Sequence, residues 1–563
     1  MTTEILTGTP AADGIGIGRI VTYRRRAPSA ERPPLQAGEI EPELRRFRDA
    51  VEVTRRRIAT ARATTAERAG QRKAAIFDAQ SLFLDDPAFV GEIERAIGER
   101  HARAESAIET VTASVESMFA ALDDDYLRAR ADDARDVASQ LLQSLDGGEA
   151  TTAIDLPTEA IIVADELFPS DTTRMDISRL AGIATERGST TAHVAILARA
   201  LGIPTVVGVA GLLRRAVDGQ VAILDGDAGQ LILSPDDNAL AAAGERMALA
   251  SAERERLATD RDLPAVTLDG ERVELRANIG TPAEAAVALA RGAEGIGLFR
   301  TEFLFVDQPA LPDEEAQYTA YRNVAKVMGE RPVIIRTLDA GGDKPLPGIS
   351  NGGPAEMNPF LGVRGLRLSL AHPDPFRTQL RALLRAATAG NIWIMFPMVA
   401  TVGDVHAARR FVDDVAGELA SEGIPHRDDT PLGIMIEVPS AAIAIDLLIR
   451  EVDFVSIGTN DLVQYTLAVD RTNPALAAQY PAFDVAVLRL IHDVLATARA
   501  AGKHAGICGE MAGDPVAIPL LIGLGARELS MGSARLDAAR QLIRMTDSTD
   551  ARRDAEARMG RKT

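Results

Sequence analysis

The sequence predicts a multidomain α/β protein: a small α/β domain with an inserted all-α helical bundle, followed by a C-terminal (β/α)8 barrel. Three observations predict it. Over roughly 270 residues from Val273 onward, apolar segments alternate with helical ones, the pattern of a parallel barrel. A charged stretch of helical periodicity runs from Glu41 to about Leu145. Short β-type runs lie on both sides of that stretch. At 563 residues the chain has room for three or four domains.

Residues 1–34 read as strands and turns. Gly14-Ile15-Gly16-Ile17-Gly18 runs into Arg19-Ile20-Val21, and no helical pattern follows. A strand with bulges therefore fits better than a dinucleotide-binding turn. In the next region Val51, Ile58, Phe77, Leu84, Ile93, Ile97, Ile108, Val111 and Val115 recur near helical spacing, with charges between them. This is a bundle, interrupted at Asp85-Asp86-Pro87 and again at Asp123-Asp124-Asp125. Strand-like runs return at Ala160–Val163, Gly182–Thr185, Pro204–Gly208 and Val221–Leu224. Residues 1–34 and 150–234 thus form one α/β domain, into which the bundle, 35–149, is inserted. Ser234-Pro235-Asp236-Asp237 opens an alanine-rich linker helix over 235–261.

The barrel is expected over 262–550, with a polar tail at 551–563. Its strands are expected at Val273–Ile279, Gly295–Arg300, Val333–Thr337, Ile392–Pro397, Gly433–Glu437, Phe454–Gly458, Ala505–Cys508 and Leu529–Met531. Active sites of such barrels lie at the carboxyl ends of the strands. Arg300, Arg336, Glu437, Asn460-Asp461 and Cys508 stand there, and Arg364 and Arg471 fall in later loops. Guanidinium forks at one barrel face suit phosphate and carboxylate, although any single arginine can equally serve a surface ion pair. Glu437 and Asp461 on adjacent strand ends can hold Mg²⁺; otherwise they serve as a buried ion-pair partner and a helix cap. Cys508 is either a small buried hydrophobe or a proton donor or nucleophile.

In the small domain, Gly188-Ser189-Thr190-Thr191-Ala192-His193 precedes the amphipathic stretch Val194–Ile203. A hydroxyl-rich turn and a helix N-terminus favour phosphate, so His193 is a candidate phosphoryl acceptor, with a structural role as the alternative. No Walker A sequence is present, so the donor need not be ATP.

Composition narrows the class. Apolar residues are 46 % and charged residues 25 %, an ordinary globular balance. A net charge of −19 disfavours a nucleic-acid coat or an anionic membrane surface and suits a basic protein partner. One cysteine precludes an intramolecular disulfide and suits a reducing compartment. With no signal-peptide pattern and no membrane-length apolar run, a cytoplasmic location is expected.

The barrel motifs GIGLFRTEFLF (295–305), IIRTLDAGGDK (334–344), NPFLGVRGLR (358–367), FPM (396–398), SIGTNDLVQYTLAVDR (456–471) and GICGEMAGD (506–514) resemble those of the phosphoenolpyruvate–protein phosphotransferases, enzyme I of the bacterial sugar phosphotransferase system. The resemblance runs from Gly14 to about Arg544. It implies a phosphohistidine α/β domain, an inserted domain that docks the histidine phosphocarrier protein HPr, and a TIM barrel that binds phosphoenolpyruvate and Mg²⁺. It implies phosphorylation of His193, oriented by Thr172. Arg300, Arg336, Arg364 and Arg471 would bind the substrate, with Asn460 on its phosphate and Lys344 nearby. Glu437 and Asp461 would hold the metal, and Cys508 would protonate the pyruvate enolate. A homodimer through the barrel is also implied. The family usually has Gly-Gly-x-Thr-Ser-His before the helix, so Ser189 and Ala192 are departures. A dikinase-like enzyme is disfavoured because 1–234 has neither the length nor the glycine-rich loop for an ATP-binding domain. A regulatory paralogue is disfavoured by the intact barrel motifs. No sensory segment precedes Met1, which points away from the nitrogen-related branch.

Overall fold

A computed structural model describes residues 3–23, 33–69, 76–120, 125–145, 156–172, 174–188, 194–195, 198–199, 202–305, 310–341, 356–470, 473, 476 and 479–560. The chain forms two compact units, 1–253 and 254–563, and the division falls within the helix Asp237–Thr259. His193, Lys344 and Arg471 lie outside the described residues, as do Ser189 and Ala192.

The first unit is built on one eight-stranded sheet. Its strands are β1 (Glu4–Thr7), β2 (Thr9–Ala12), β3 (Ile15–Tyr23), β4 (Ala160–Ala164), β5 (Leu180–Thr185), β6 (Thr205–Val207), β7 (Val221–Asp225) and β8 (Gln230–Leu233). The order across the sheet is β1-β8-β7-β3-β4-β5-β6-β2. β3 runs antiparallel to β7 and parallel to β4, so both sequence halves share one sheet. The register of β3 against both neighbours is continuous, which corrects the expectation of bulges in the Gly-Ile-Gly-Ile-Gly run. The glycines serve close approach instead. A Cβ on Gly16 would stand 1.9 Å from the carbonyl oxygen of Ala181, and one on Gly18 1.9 Å from that of Glu159.

Between β3 and β4 the chain forms α1 (Ile40–Ala69), α2 (Ile76–Asp85), α3 (Val90–Gly98), α4 (Ala104–Ala120) and α5 (Asp125–Leu145). Their shared core holds Phe47, Ile58, Phe77, Phe89, Ile93, Ile108 and Leu141. Arg46 on α1 bonds Glu105 on α4 at 2.6 Å. Asp136 on α5 accepts from Gln80 on α2 at 2.8 Å, so buried polar groups also tie the helices together.

The second unit is a closed barrel of eight parallel strands: β9 (Glu274–Ile279), β10 (Ile296–Arg300), β11 (Val333–Arg336), β12 (Ile392–Phe396), β13 (Leu432–Ile436), β14 (Phe454–Ile457), β15 (His504–Ile507) and β16 (Glu528–Gly532). Each expected strand appears within one residue of its expected ends, because fully buried parallel strands read as short apolar runs. Leu298, Ile334, Met395, Met435, Phe454 and Cys508 pack inside the barrel. A charged cluster fills the opposite end from the site: Arg276 on β9 pairs with Glu528 at the start of β16 at 2.8 Å, and Glu528 also meets His504 at the start of β15. The Arg276 guanidinium lies 5.6 Å from the Trp393 ring centre on β12.

The polar tail expected from 551 is corrected. Ser548–Arg558 is a helix, and Ala551, Ala555 and Met559 are buried. These recur every four residues, a narrow face of small and apolar side chains in an otherwise charged segment. Gly523 allows the close approach, since a Cβ there would lie 2.1 Å from the Ala551 carbonyl oxygen.

Candidate active site at the carboxyl ends of the barrel strands

Arg300 and Arg336 end β10 and β11, Glu437 follows β13 directly, Asp461 opens the helix Thr459–Leu467 after β14, and Cys508 follows β15. Arg364 reaches the same place from a loop, where a bridge to Gly341 fixes its backbone.

Arg336, Arg364, Glu437 and Asp461 are buried together with two further acids, Glu302 and Asp339. Arg336 pairs through Nη2 with Glu302 at 3.1 Å and through Nη1 with Asp339 at 2.9 Å. Arg364 spans two carboxylates. Its Nε and Nη2 each donate to Asp339 at 3.0 Å, and its Nη1 and Nη2 donate to Asp461 at 3.1 and 3.2 Å. Nη1 also donates to the Tyr465 hydroxyl at 3.2 Å, which in turn donates to the Phe360 carbonyl at 2.6 Å. Glu437 accepts a 2.6 Å bond from the backbone N–H of Met398. Met398 holds φ +56°, a left-handed conformation that typically costs about 1–3 kcal/mol and here aims the N–H at Glu437.

Four acids face two guanidinium groups, which leaves a need for positive charge. Burial first, then Asp339 and Asp461, push the Glu437 carboxyl up to about 8. Oxygens of Asp339, Glu437 and Asp461 lie within 4.8 Å of one another. An all-oxygen set with surplus negative charge suits a hard divalent cation.

Arg300 differs from its neighbours. It is half-buried, and its guanidinium has no hydrogen bond or ion pair with any described residue. The Nε of Arg336 is buried and likewise has no hydrogen-bond partner among the described residues. The Arg300 donors thus remain open to an anion, while the Arg336 Nε is sealed and unsatisfied.

The curated relatives are decisive. A phosphoenolpyruvate-protein phosphotransferase of Bacillus sp. (strain S) is 41 % identical over 553 residues, 98 % of this chain and 95 % of that one. The protein of the same name from Geobacillus stearothermophilus matches equally, and that from Listeria innocua is 40 % identical over 561 residues, 99 % of this chain and 97 % of its own. This chain belongs to the phosphoenolpyruvate-protein phosphotransferase family. Three family descriptions divide it: PEP-utilising enzyme, N-terminal, matches residues 7–130; PEP-utilising enzyme, mobile domain, 156–229; and PEP-utilising enzyme, PEP-binding domain, 254–548.

In this phosphotransferase family member the barrel face gathers Arg300, Arg336, Arg364, Glu437, Asp461 and Cys508. The Cys508 thiol is buried, with its N–H on the Ile457 carbonyl at 3.0 Å. Burial pushes the thiol up to about 11, so it carries its proton at neutral pH. Asn460 is tethered to Glu510: its Nδ2 donates to the Glu510 carboxylate at 3.2 Å, and its Oδ1 accepts from the Glu510 N–H at 2.9 Å. Thr172 ends the single turn Pro169–Thr172 of the first unit. Asp171 anchors that turn by accepting from the Phe168 N–H at 2.9 Å and the Tyr23 hydroxyl at 2.6 Å.

Sequence reasoning passed over Glu302, Asp339, Met398 and Tyr465. Glu302 and Asp339 each follow a strand-ending arginine by two or three residues, a signal that could have marked both. Met398 and Tyr465 carry no local mark, because a left-handed φ and a contact across a loop emerge only in three dimensions.

Proposed function

We propose that the chain transfers the phosphoryl group of phosphoenolpyruvate to His193 and then to HPr, starting the sugar phosphotransferase cascade. The observation that carries this reading is the cluster of arginines and carboxylates at the barrel face, in a chain about 40 % identical over nearly its whole length to proteins named for this reaction.

In the first step a neutral His193 attacks phosphorus, the P–O bond to the enolate breaks, and pyruvate enolate leaves. An unperturbed imidazole, with a pKa of about 6.5, is mostly neutral at pH 7. Arg300 and Arg336, whose Nε is buried and unsatisfied, receive the anionic substrate, joined by Arg364, Arg471 and Lys344. Asn460, tethered by Glu510, stands at the rim of the same face for the phosphate. Such transfers rest mainly on positioning and charge neutralisation. Glu437 and Asp461 would hold Mg²⁺, which when bound neutralises charge on the phosphoryl oxygens. Cys508 gives its proton to the methylene carbon of the enolate and regains one from water; its protonated thiol supports an acid rather than a nucleophile. Thr172 orients the His193 ring.

HPr docks on the inserted domain, 35–149, of the phosphohistidine domain, 1–34 with 150–234. Leu82 on α2 and Met118 on α4 are exposed and supply apolar contact. Asp85 is exposed but paired with Arg55 at 2.5 Å, so Asp86 is the freer acid of the rim. The linker helix, 235–261, joins this half to the barrel, 262–550, which pairs with a second copy; exposed Ile443 and Leu447 support that surface. No helix among the described residues is long and apolar enough to cross a membrane, and with a lone cysteine this fits work in the cytoplasm.

The test is labelling of the full chain with [³²P]phosphoenolpyruvate and Mg²⁺. Acid-labile label on His193, absent in His193→Ala and discharged by HPr, is expected. Label that survives acid, or that persists in His193→Ala, refutes the assignment.

A further inference from the structure

The centre of the barrel-face network is neither of the expected metal ligands. It is Asp339, the most deeply linked carboxylate in the site, with 1 % of its surface exposed. Its Oδ1 accepts the Nε of Arg364 at 3.0 Å. Its Oδ2 takes both the Nη2 of Arg364, at 3.0 Å, and the Nη1 of Arg336, at 2.9 Å. Two guanidinium forks from different segments are therefore fixed by one carboxylate.

Asp339 is itself held. Its backbone N–H donates to Glu302 Oε1 at 3.0 Å, the same oxygen that takes Arg336 Nη2 at 3.1 Å. On the other side, Gly365 N–H donates to the Ala340 carbonyl at 3.0 Å, and Gly341 bridges Arg364. A side chain on Gly365, at φ +59°, would press Met398 at 2.8 Å. The loop backbone is thus drawn tightly against the carboxylate that orders the arginines.

We propose that Asp339 is a positioning residue: it holds Arg336 and Arg364 in a fixed mutual orientation beside the proposed place of the transferring phosphoryl group. The inference rests on the proposed phosphoenolpyruvate site. Two like charges packed side by side repel, and without Asp339 the only carboxylate among the described residues that Arg364 still reaches is Asp461. Arg364 then collapses onto Asp461, and Arg336 is left with Glu302 alone. Both charges remain in the site, but their direction is lost. Misplacement of about 1 Å can cost on the order of 100-fold in rate.

The experiment uses the full chain. Single-turnover phosphorylation of His193 by phosphoenolpyruvate is compared for the native protein, Asp339→Asn, Arg364→Gln and the double variant. Back-transfer from phospho-HPr to His193, which does not use the barrel, is followed in parallel. Asp339→Asn is expected to slow phosphorylation at saturating phosphoenolpyruvate about 100-fold, with KM within about tenfold and back-transfer unchanged. In the Arg364→Gln background its penalty should shrink at least tenfold, because one of the two groups it acts through is gone. A rate within threefold of native overturns the proposal. So does a double variant whose loss is the full product of the two single losses, since Asp339 would then act independently of Arg364. If Asp339→Asn does not fold, Asp339→Glu, which keeps the charge but shifts it by one methylene, goes through the same cycle under the same criteria. Failure of the native chain to take label from phosphoenolpyruvate would refute the substrate site itself, a result distinct from the others.

Discussion

Glu528→Gln tests what holds the barrel together at the end away from the site. Glu528 is 1 % exposed and stands between Arg276, at 2.8 Å, and His504. Arg276 is itself 3 % exposed. Removing one partner of a buried pair typically costs about 3–5 kcal/mol, because the other charge is left uncompensated. Here the loss should lie near the low end, about 3 kcal/mol, since Arg276 keeps a second bond to the half-exposed Glu274 at 2.9 Å. For a unit of this size that is a fall of roughly 5–10 °C in Tm. Trp393 is the only tryptophan, and it lies 5.6 Å from the Arg276 guanidinium and 5.3 Å from the His504 ring, so its emission reports this region alone. The assay is thermal unfolding followed by that emission. Arg276→Met added to Glu528→Gln should restore most of the loss, because no charge is then stranded. The pH dependence has a definite sign. Burial alone would raise the Glu528 carboxyl, but Arg276 and then His504 bring it below the ordinary value of 4.5. Its contribution is therefore complete above about pH 4.5 and is lost as the pH falls through the lowered value in the folded barrel. An unchanged Tm in Glu528→Gln, with the same acid limb as the native chain, would refute the reasoning.

Three further outcomes are expected. Gly16→Ala should destabilise the first unit by about 3 kcal/mol, because its Cβ would stand 1.9 Å from a backbone oxygen that the sheet register fixes; thermal circular dichroism at 222 nm checks it, and native stability would show that β3 can shift. Cys508→Ala should slow the release of pyruvate from phosphoenolpyruvate while exchange of phosphate between His193 and HPr persists; equal loss of both would mean that Cys508 only packs the barrel interior. Transfer to HPr should slow as salt rises, since screening over about 8 Å at physiological ionic strength weakens steering by an acidic chain; a salt-independent rate would place the docking energy in apolar contact such as Leu82 and Met118.

The sequence by itself determined the architecture and which charged residues stand together at one end of the barrel. The barrel strands are legible because buried parallel strands are short apolar runs, and that signal is local. The strand-ending Arg300 and Arg336, and Glu437, Asp461 and Cys508 just beyond strands, are legible for the same reason, since topology sends all of them to one face. What each of those groups touches was decided by the closed barrel. Arg364 meets Asp339 across 25 residues and Asp461 across 97, separations over which no local pattern carries information. The Asn460–Glu510 pair spans 50 residues and fixes a side chain whose partner no local pattern could name. The small-residue face of Ser548–Arg558 reads as a polar tail until the helix Ala517–Leu524, which carries Gly523, offers it a surface. Local periodicity fixes which elements form and which ends face together; burial, and the pairing of charges that burial enforces, fixes which forks are held and which, like that of Arg300, stay without a partner among the described residues.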